Sequence, residues 1–400
     1  MLRNVLILMA IVLVFSASEV QADITHSKWV GGGWGRWSDA SNWTPAIVPD
    51  NTSWRTFVVT IDSSSIGANW VMVGLQHNRT INQLDCYGGV ELFNNTPDWI
   101  ELTLVGPNGL TNYGELEIEG EWRMQINGNV TNTTGKELEL WGMIEIVGTL
   151  YNSADAKIKI GGTDIAVDGN LENSGTIVID PESEFNADTL HNAGQIQIYG
   201  GQCEAETFDN NNSGAIKGFG FIRAEQLLRN KGQIIALGGS LAVLIEGSMT
   251  NTGTLASKAL STLHIKPAED VNNNGTIEVN AGGGVAFDCN LVNVHDPNAT
   301  IRLLGGTLAA MTITQSADAN FRGFGSITGD IIIEPDGIIK LTGPTNIVGN
   351  VTTEHNAVLE ISDGQTLITG HTTNNGDIRV VNGDVIFQGG YSGSGVVQKD

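Results

Sequence analysis

Positively charged residues are scarce in this chain, which carries 20 Lys and Arg against 44 Asp and Glu and a formal net charge of −24. Nucleic acids and anionic membranes are bound through basic patches, so a surface this acidic disfavours both partners. Self-repulsion of the acidic surface keeps such a protein soluble. Weak, distributed binding of divalent cations is the alternative that the charge leaves open.

Cysteine and proline are also rare, with three and nine residues among 400. The odd number of thiols at Cys86, Cys203 and Cys289 excludes a complete set of intrachain disulfides. We expect these cysteines to be small, buried apolar side chains. Glycine is abundant instead, with 51 among 400 residues. The hydrophobic fraction of 40% suffices for a core, which excludes general disorder.

Apolar runs long enough to span a membrane are missing from the sequence. The longest run, Val5 to Phe15, follows Arg3 and precedes small residues in Val20-Gln21-Ala22. This pattern predicts a secretory signal peptide over residues 1–22, with a retained membrane anchor as the alternative. We therefore expect a secreted or cell-surface protein without stable membrane insertion.

No tryptophan follows Trp141, and all nine lie between Trp29 and Trp141. This shift in composition predicts a Trp-rich N-terminal cap with the first β coils at residues 23–109. A repetitive region at 110–388 and a frayed, Gly/Ser-rich C-terminal end at 389–400 complete the predicted organisation.

A short motif, Asn-x-Gly-x-[Ile/Leu], recurs through the chain at nearly constant spacing. Its asparagines are Asn112, Asn173, Asn192, Asn212, Asn230, Asn251, Asn273 and Asn374. Between Asn173 and Asn273 every step contains a similar number of residues, and degenerate copies fill the longer gaps elsewhere. A fixed period of about 20 residues is the mark of a repeat architecture.

The copies continue as two-residue alternations of β-branched residues, which indicate strands with one buried face. Leucine-rich repeats have a similar length but require fixed leucines and a helical segment. We therefore predict an all-β fold, a parallel β-helix (β-solenoid) of about fourteen coils of ~20 residues, right-handed by the usual preference. Isolated antiparallel hairpins are the alternative, although hairpins do not impose a constant period.

The Asn-x-Gly corner has a physical interpretation. Asn and Gly both tolerate positive φ, which a sharp turn between sheets would use. Equivalent asparagines would stack one coil apart, so their amides are expected to form a hydrogen-bonded ladder along the axis.

The N-terminal segment runs Trp29-Val-Gly-Gly-Gly-Trp-Gly-Arg-Trp-Ser-Asp-Ala-Ser-Asn-Trp43 and continues with Val48-Pro-Asp50 and Thr56-Phe-Val-Val-Thr-Ile-Asp62. It resembles the opening of many large secreted bacterial β-helix proteins, the adhesin-like and autotransporter-passenger-like exoproteins. The resemblance implies an exported β-helix with a Trp-rich cap. It implies no single activity, because that scaffold hosts binders, structural proteins and polysaccharide-cleaving enzymes.

Recognisable catalytic and metal-binding motifs are missing, so we expect no catalytic residues, no metal site and no cofactor. The tryptophans offer a binding hypothesis instead, because exposed aromatic faces stack on sugar rings. Trp34, Trp37, Trp43 and Trp54 are the predicted ligand-binding residues. The alternative is that their rings plug the end of the coil stack.

Acidic residues supply the remaining hypotheses. Asp164 and Asp168 could face one calcium ion, and so could Asp180, Glu182 and Glu184. Four carboxylates share a coil phase in which an acid and a base could cooperate: Asp180, Glu184, Asp188 and Glu204.

Taken together, these patterns predict an exported, non-enzymatic structural, adhesion or surface-binding β-solenoid that contacts extracellular polysaccharide or cell-surface components. A polysaccharide lyase or glycoside hydrolase on the same scaffold is the alternative.

Overall fold

The computed structural model describes residues 22–94 and 96–400. The chain is a parallel β-solenoid of about 16 turns with 66% of its residues in strands, which confirms the predicted fold class. Within the described residues, two short 3-10 turns, Ala40–Asn42 and Ser64–Ile66, are the helical elements. Apart from Ala22, the predicted signal peptide lies outside the described residues.

Thirty-nine strands make up the solenoid in the described part of the chain. The first thirteen are Asp23–Trp29, Trp34–Arg36, Trp43–Thr44, Arg55–Asp62, Trp70–Leu75, Arg79–Ile81, Gln83–Tyr87, Gly89–Asn94, Ile100–Leu104, Leu110–Asn112, Glu115–Asn127, Val130–Asn132 and Glu137–Val147. The next thirteen are Leu150–Asn152, Lys157–Ile160, Asp164–Asn173, Thr176–Ile179, Glu184–Asn192, Gln195–Asn210, Ala215–Asn230, Gln233–Ile245, Ser248–Asn251, Thr254–Ser257, Thr262–Pro267, Val271–Asn273 and Thr276–Asn280. The last thirteen are Gly284–Phe287, Leu291–Asn293, Thr300–Gln315, Asn320–Ile333, Ile338–Val348, Val351–Thr353, Val358–Ser362, Gln365–Ile368, Thr372–Asn374, Asp377–Val381, Asp384–Phe387, Tyr391–Ser392 and Val396–Lys399.

Each regular coil passes through three parallel sheets, named A, B and C here. Leu150–Asn152 lies in sheet A and Lys157–Ile160 in sheet B, and Asp164–Asn173 begins in sheet C before it enters sheet A of the next coil. In the regular coils each strand pairs in parallel with the equivalent strand one coil away, as Asn152 does with Asn132 and Asn173. Near the N-terminus, Trp43–Thr44 instead pairs antiparallel with Asp23–Trp29. The chain thus forms its backbone hydrogen bonds between parallel strands of successive coils.

The core is a continuous apolar column inside the three sheets. Alternate strand residues point inward, so that Ile158 and Ile160 in one coil lie in register with Ile177 and Ile179 in the next, all almost fully buried. Each such side chain contributes ~1.5–3 kcal/mol on burial. A single coil cannot bury these side chains by itself, so stability depends on the stacking of neighbours.

Buried asparagines form a ladder at the corner between sheets A and B. Its members are Asn112, Asn132, Asn152, Asn173, Asn192, Asn210, Asn230, Asn251, Asn273 and Asn293. In each pair the Nδ2 atom donates to the Oδ1 atom of the next asparagine, at 2.7–3.0 Å. Asn293 extends the series to Gln315 Oε1 at 2.9 Å.

Most ladder amides also donate a second hydrogen bond across the corner. Asn112 Nδ2 donates to the carbonyl oxygen of Glu137 at 2.9 Å, and Asn132 Nδ2 donates to that of Lys157 at 2.8 Å. These acceptors begin the sheet B strand of the following coil. Each asparagine that makes this second bond therefore links its own sheet A strand to the next coil's sheet B strand.

Asn374 lies in the same column but is separated from the ladder by Ile333, and its side chain bonds to Thr353 and Tyr391. Asn212 does not belong to the ladder, so these two parts of the prediction are wrong. Asn210 occupies the position, in register with Asn192 and Asn230. The corner between the ladder asparagine and its glycine is longer after Asn210 than after Asn192. Gly214 still lies next to Gly194 in the stack, because the backbone N–H of Ala215 donates to the carbonyl oxygen of Gly194. Aligning the motif on its glycine therefore displaced the predicted ladder residue.

The glycines of the Asn-x-Gly corners are required by close packing and not by left-handed backbone. Gly194 and Gly253 do not have positive φ. A Cβ atom on Gly194 would lie 2.0 Å from the carbonyl oxygen of Gly175, and one on Gly253 would lie 2.1 Å from that of Gly232. The structure thus corrects the expected reason for glycine, because stacked corners leave no space for a side chain.

The count of about 16 turns exceeds the predicted fourteen because the first coils lack the asparagine. Ile61 and Cys86 occupy the ladder position there, as Ile61 pairs with Cys86 and Cys86 pairs with Asn112. These coils are also longer, because more residues separate Ile61, Cys86 and Asn112 than separate the later ladder positions. The repeat motif alone could not reveal them.

Substitution of Asn230 by Ala is predicted to destabilise the middle of the solenoid. The change would remove the acceptor of Asn210 Nδ2 and the donor to Asn251 Oδ1. A buried polar group left without a partner costs ~1–3 kcal/mol. We expect a clearly lower midpoint of urea unfolding, measured by circular dichroism.

Asn212→Ala is the matched control, because the Asn212 side chain is exposed. This substitution should change stability by less than ~0.5 kcal/mol. Equal midpoints for the two variants would contradict the role of the ladder.

Candidate functional site

Two of the four tryptophans predicted to bind ligand are buried in the core. Trp43 packs edge-to-face against Trp29 and Trp37, with ring centroids 5.0 and 4.8 Å apart. Trp37 is 0% exposed, and its Nε1 donates to the carbonyl oxygen of Pro49 at 3.0 Å. Trp43 Nε1 donates to the carbonyl oxygen of Trp37 at 2.8 Å. The structure corrects the prediction for Trp37 and Trp43, because neither ring is open to a ligand.

The other two tryptophans are exposed, Trp34 at 58% and Trp54 at 66%. Trp34 opens a short strand that pairs with Trp70–Leu75, and Trp54 directly precedes the strand Arg55–Asp62. The two exposed rings therefore lie on separate segments of the chain, and they are the two of the four predicted ligand-binding tryptophans that are open to solvent.

A tyrosine pair that the sequence analysis missed lies on the surface at the corner between sheets A and B. The rings of Tyr87 and Tyr113 stack with centroids 4.7 Å apart and an interplanar angle of 10°. They follow Cys86 and Asn112, which are adjacent in the ladder column. Thr133 takes the equivalent position one coil further on, so the smaller threonine side chain stands where a third ring would complete the stack.

Tyr113 lines a groove of about 430 Å³ on the outer face of sheet A, and Tyr151 also lines it. The remaining lining residues are Gln83, Pro107, Asn108, Thr111, Asn129, Thr131 and Thr133. Thr111, Thr131 and Tyr151 lie in one row across successive coils, because they pair in register. We call this feature the tyrosine groove.

A polar network borders the tyrosine groove. Asn108 Nδ2 donates to Gln83 Oε1 at 3.0 Å, and Gln83 Nε2 donates to the two carboxylate oxygens of Asp85 at 2.9 and 2.8 Å. Burial raises the pKa of Asp85, and the hydrogen bond from Gln83 partly opposes that rise. These bonds hold the amides in fixed orientations at the edge of the groove.

A second groove, also of about 430 Å³, begins on the other side of Tyr113. Its lining residues are Asn69, Gly88, Gly89, Tyr113, Gly114, Glu115, Gly135, Lys136 and Glu137. Four glycines leave the backbone uncovered there. The two grooves share Tyr113, which therefore stands at their junction.

The acidic residues predicted as possible catalytic or calcium-binding groups are spread over the surface. Glu204 is 3.3 Å from Arg223, and Asp180 is 3.9 Å from Lys159. Burial and the nearby carboxylate of Asp168 raise the pKa of Asp188. Among the described residues, no group of three or more His, Cys, Asp or Glu side chains is placed to hold a metal ion.

A partly buried acidic row is a further feature that the sequence did not reveal. Glu91, Glu117, Glu139 and Lys159 are in register on the outer face of sheet B. Burial raises the pKa of Glu117, and the neighbouring carboxylates of Glu91 and Glu139 raise it further. Burial also raises the pKa of Glu91. The row brings together residues that lie far apart along the chain.

The three cysteines are free and buried. Burial raises the pKa of Cys289 to about 11 and also raises the pKa values of Cys86 and Cys203. Because the thiolate is the reactive form, these side chains are poor nucleophiles and act as parts of the core.

Comparisons with protein-family models, with curated proteins and with solved structures found no match for this chain. Its class is therefore defined by its architecture, a parallel β-solenoid with a tryptophan cluster near the N-terminus. In the part of the chain that the structure describes, no helix has the length and apolar character needed to cross a bilayer.

Trp37→Ala is predicted to destabilise the N-terminal coils strongly, because the ring is fully buried. Removing a fully buried tryptophan costs ~3–5 kcal/mol. Trp54→Ala, which removes an exposed ring, is the control and should change stability by less than ~0.5 kcal/mol. Thermal unfolding followed by tryptophan fluorescence would measure both. Similar midpoints would show that the buried cluster does not stabilise the fold.

The acidic row predicts that stability depends on pH. A carboxyl group with a raised pKa in the folded state holds its proton more tightly than in the unfolded chain, so its stabilising contribution is present at low pH. That contribution is lost as pH rises from the unfolded pKa of ~4.3 through the raised pKa of Glu117. Glu117→Gln should therefore raise the urea midpoint at pH ~7 and flatten its fall with pH.

Glu121→Gln is the control for this experiment, because Glu121 is an exposed carboxylate of the same strand. If the urea midpoint of Glu117→Gln fell with pH as steeply as that of the unsubstituted protein, the proposed link between the raised pKa of Glu117 and stability would be contradicted.

Proposed function

We propose that the protein is an exported, non-enzymatic β-solenoid that serves as a structural or adhesion element and contacts extracellular polysaccharide or cell-surface components. The observation that supports this is the uninterrupted stack of about 16 turns. At ~4.8 Å per turn, such a stack is a rod roughly 75 Å long. The rod offers a long lateral surface, and function in this class would depend on length and repeated surface groups.

The distribution of acidic groups supports a non-enzymatic role. Hydrolysis of a glycosidic bond uses two carboxyl groups on either side of the scissile bond, within a cleft that surrounds the substrate. Glu204 and Asp180 instead lie near cations at the outer surface of the solenoid. The tyrosine groove has no carboxylate among its described lining residues.

One observation favours the alternative of a polysaccharide lyase or glycoside hydrolase. Asp85 has a raised pKa and lies beside the tyrosine groove, where Gln83 holds its carboxylate. A raised pKa suits a carboxyl group to act as a general acid. A second catalytic carboxyl group would still be required.

Incubation of the full chain with a panel of neutral and anionic polysaccharides distinguishes the two functions. We expect no new reducing ends and no unsaturated uronates above the background of buffer alone. We also expect retention of the protein on at least one insoluble polysaccharide. Turnover of any polysaccharide above background would contradict the non-enzymatic proposal, and loss of that turnover in Asp85→Asn would assign the reaction to Asp85.

A further inference from the structure

One face of the Tyr113 ring stacks on Tyr87. In the next coil the equivalent position holds Thr133, whose side chain is smaller than a ring and lines the same groove. An exposed aromatic face packs well against the C–H face of a sugar ring. Tyr113 and Tyr151 are each 40% exposed, so both rings are accessible from the tyrosine groove.

The floor and the far end of the groove offer polar groups. Thr131 presents a hydroxyl group that can donate and accept hydrogen bonds, while that of Thr133 donates to the carbonyl oxygen of Asn112 and can still accept. Asn129 and Asn108 present amides at the end of the sheet A strands opposite Tyr113. This mixture of aromatic faces with hydroxyl and amide groups matches a ligand that has apolar C–H faces and many hydroxyl groups.

The spacing of the two tyrosines indicates a polymer and not a single sugar. Tyr113 follows the ladder residue of one coil, and Tyr151 lies beside Asn152, two coils further on. At ~4.8 Å per coil, the two positions are roughly 10 Å apart along the axis. A chain of sugar units can contact both rings at once, and the groove continues past Tyr113 into its glycine-lined neighbour.

The charged residues around the two grooves favour a neutral polymer. Among the described lining residues of the tyrosine groove there is no Lys, Arg or His, and the carboxylate of Asp85 lies beside it. In the adjoining groove the single cation among the described lining residues, Lys136, is accompanied by Glu115 and Glu137. With a net charge of −24 on the whole chain, uronate-rich and sulfated polymers would be repelled.

We propose that the tyrosine groove binds a neutral polysaccharide, whose sugar rings stack on Tyr113 and Tyr151 while their hydroxyl groups bond to the threonines and amides between them. This inference rests on the proposed contact with extracellular glycans and assigns that contact to one place on the rod.

The test uses the full chain and affinity electrophoresis in gels that contain soluble polysaccharides. The neutral probes are a mixed-linkage β-glucan, an arabinoxylan without uronate and a galactomannan, and the anionic probes are alginate and polygalacturonate. We expect retardation by at least one neutral polymer and by neither anionic one. Tyr113→Ala and Tyr151→Ala should each weaken that binding by about tenfold or more, which corresponds to ~1.4 kcal/mol.

Tyr199→Ala is the matched control, because Tyr199 is similarly exposed at 44% but lies on a distant coil. It should bind like the unsubstituted protein. Tyr113→Phe should retain most of the affinity, because the stacking face is kept. Thr131→Lys, which would fill the groove from its floor, should abolish binding without removing either ring, and circular dichroism would verify the fold of every variant.

The outcomes separate the site from the broader function. Neutral polysaccharide bound equally well by Tyr113→Ala, Tyr151→Ala and Tyr199→Ala would overturn the site but leave glycan contact elsewhere on the rod. Preference for the anionic polymers, or no binding of any neutral polymer, would also overturn it. If no neutral polymer binds, the turnover and retention assays described above still test the proposed structural role independently.

Discussion

The stacking of coil on coil is the interaction on which this molecule depends. Strands such as Lys157–Ile160 find their backbone partners in the coils before and after, so no coil can satisfy its own hydrogen-bonding groups. The buried asparagine ladder follows from the same constraint, because a polar side chain at an inner corner must find partners in the adjacent coils. Corner glycines such as Gly194 then allow the corners to approach closely enough for these bonds to form.

The fold could be predicted from sequence because stacking makes equivalent positions chemically alike. A constant repeat period and the inward alternation of Ile and Val were sufficient for the parallel solenoid. The exact members of the ladder were harder to predict from the sequence. The corner after Asn210 is longer than the others, so its glycine stays in register with the other corner glycines but is further along the chain from the ladder asparagine. The first coils, expected within residues 23–109, could not be counted from the motif because Ile61 and Cys86 fill the asparagine position.

The surface features were harder to predict for a geometric reason. Tyr113 and Tyr151 come from different positions within their coils, one after and one before a ladder asparagine, so a single repeat alignment does not bring them together. The sequence also did not indicate which tryptophans are exposed and which are buried. Trp37 and Trp34 have the same chemistry, but Trp37 has a carbonyl partner and packs against the ring of Trp43 inside the N-terminal coils, whereas Trp34 is exposed.

The ladder also gives the molecule a direction. From Asn112 to Gln315 all ten side-chain hydrogen bonds point the same way, with each Nδ2 directed towards the C-terminal coils. Aligned amides polarise one another, so their dipoles add along the axis until Ile333 ends the series. The ladder is therefore electrically polar along the axis of the solenoid, with its positive end towards the C-terminal coils.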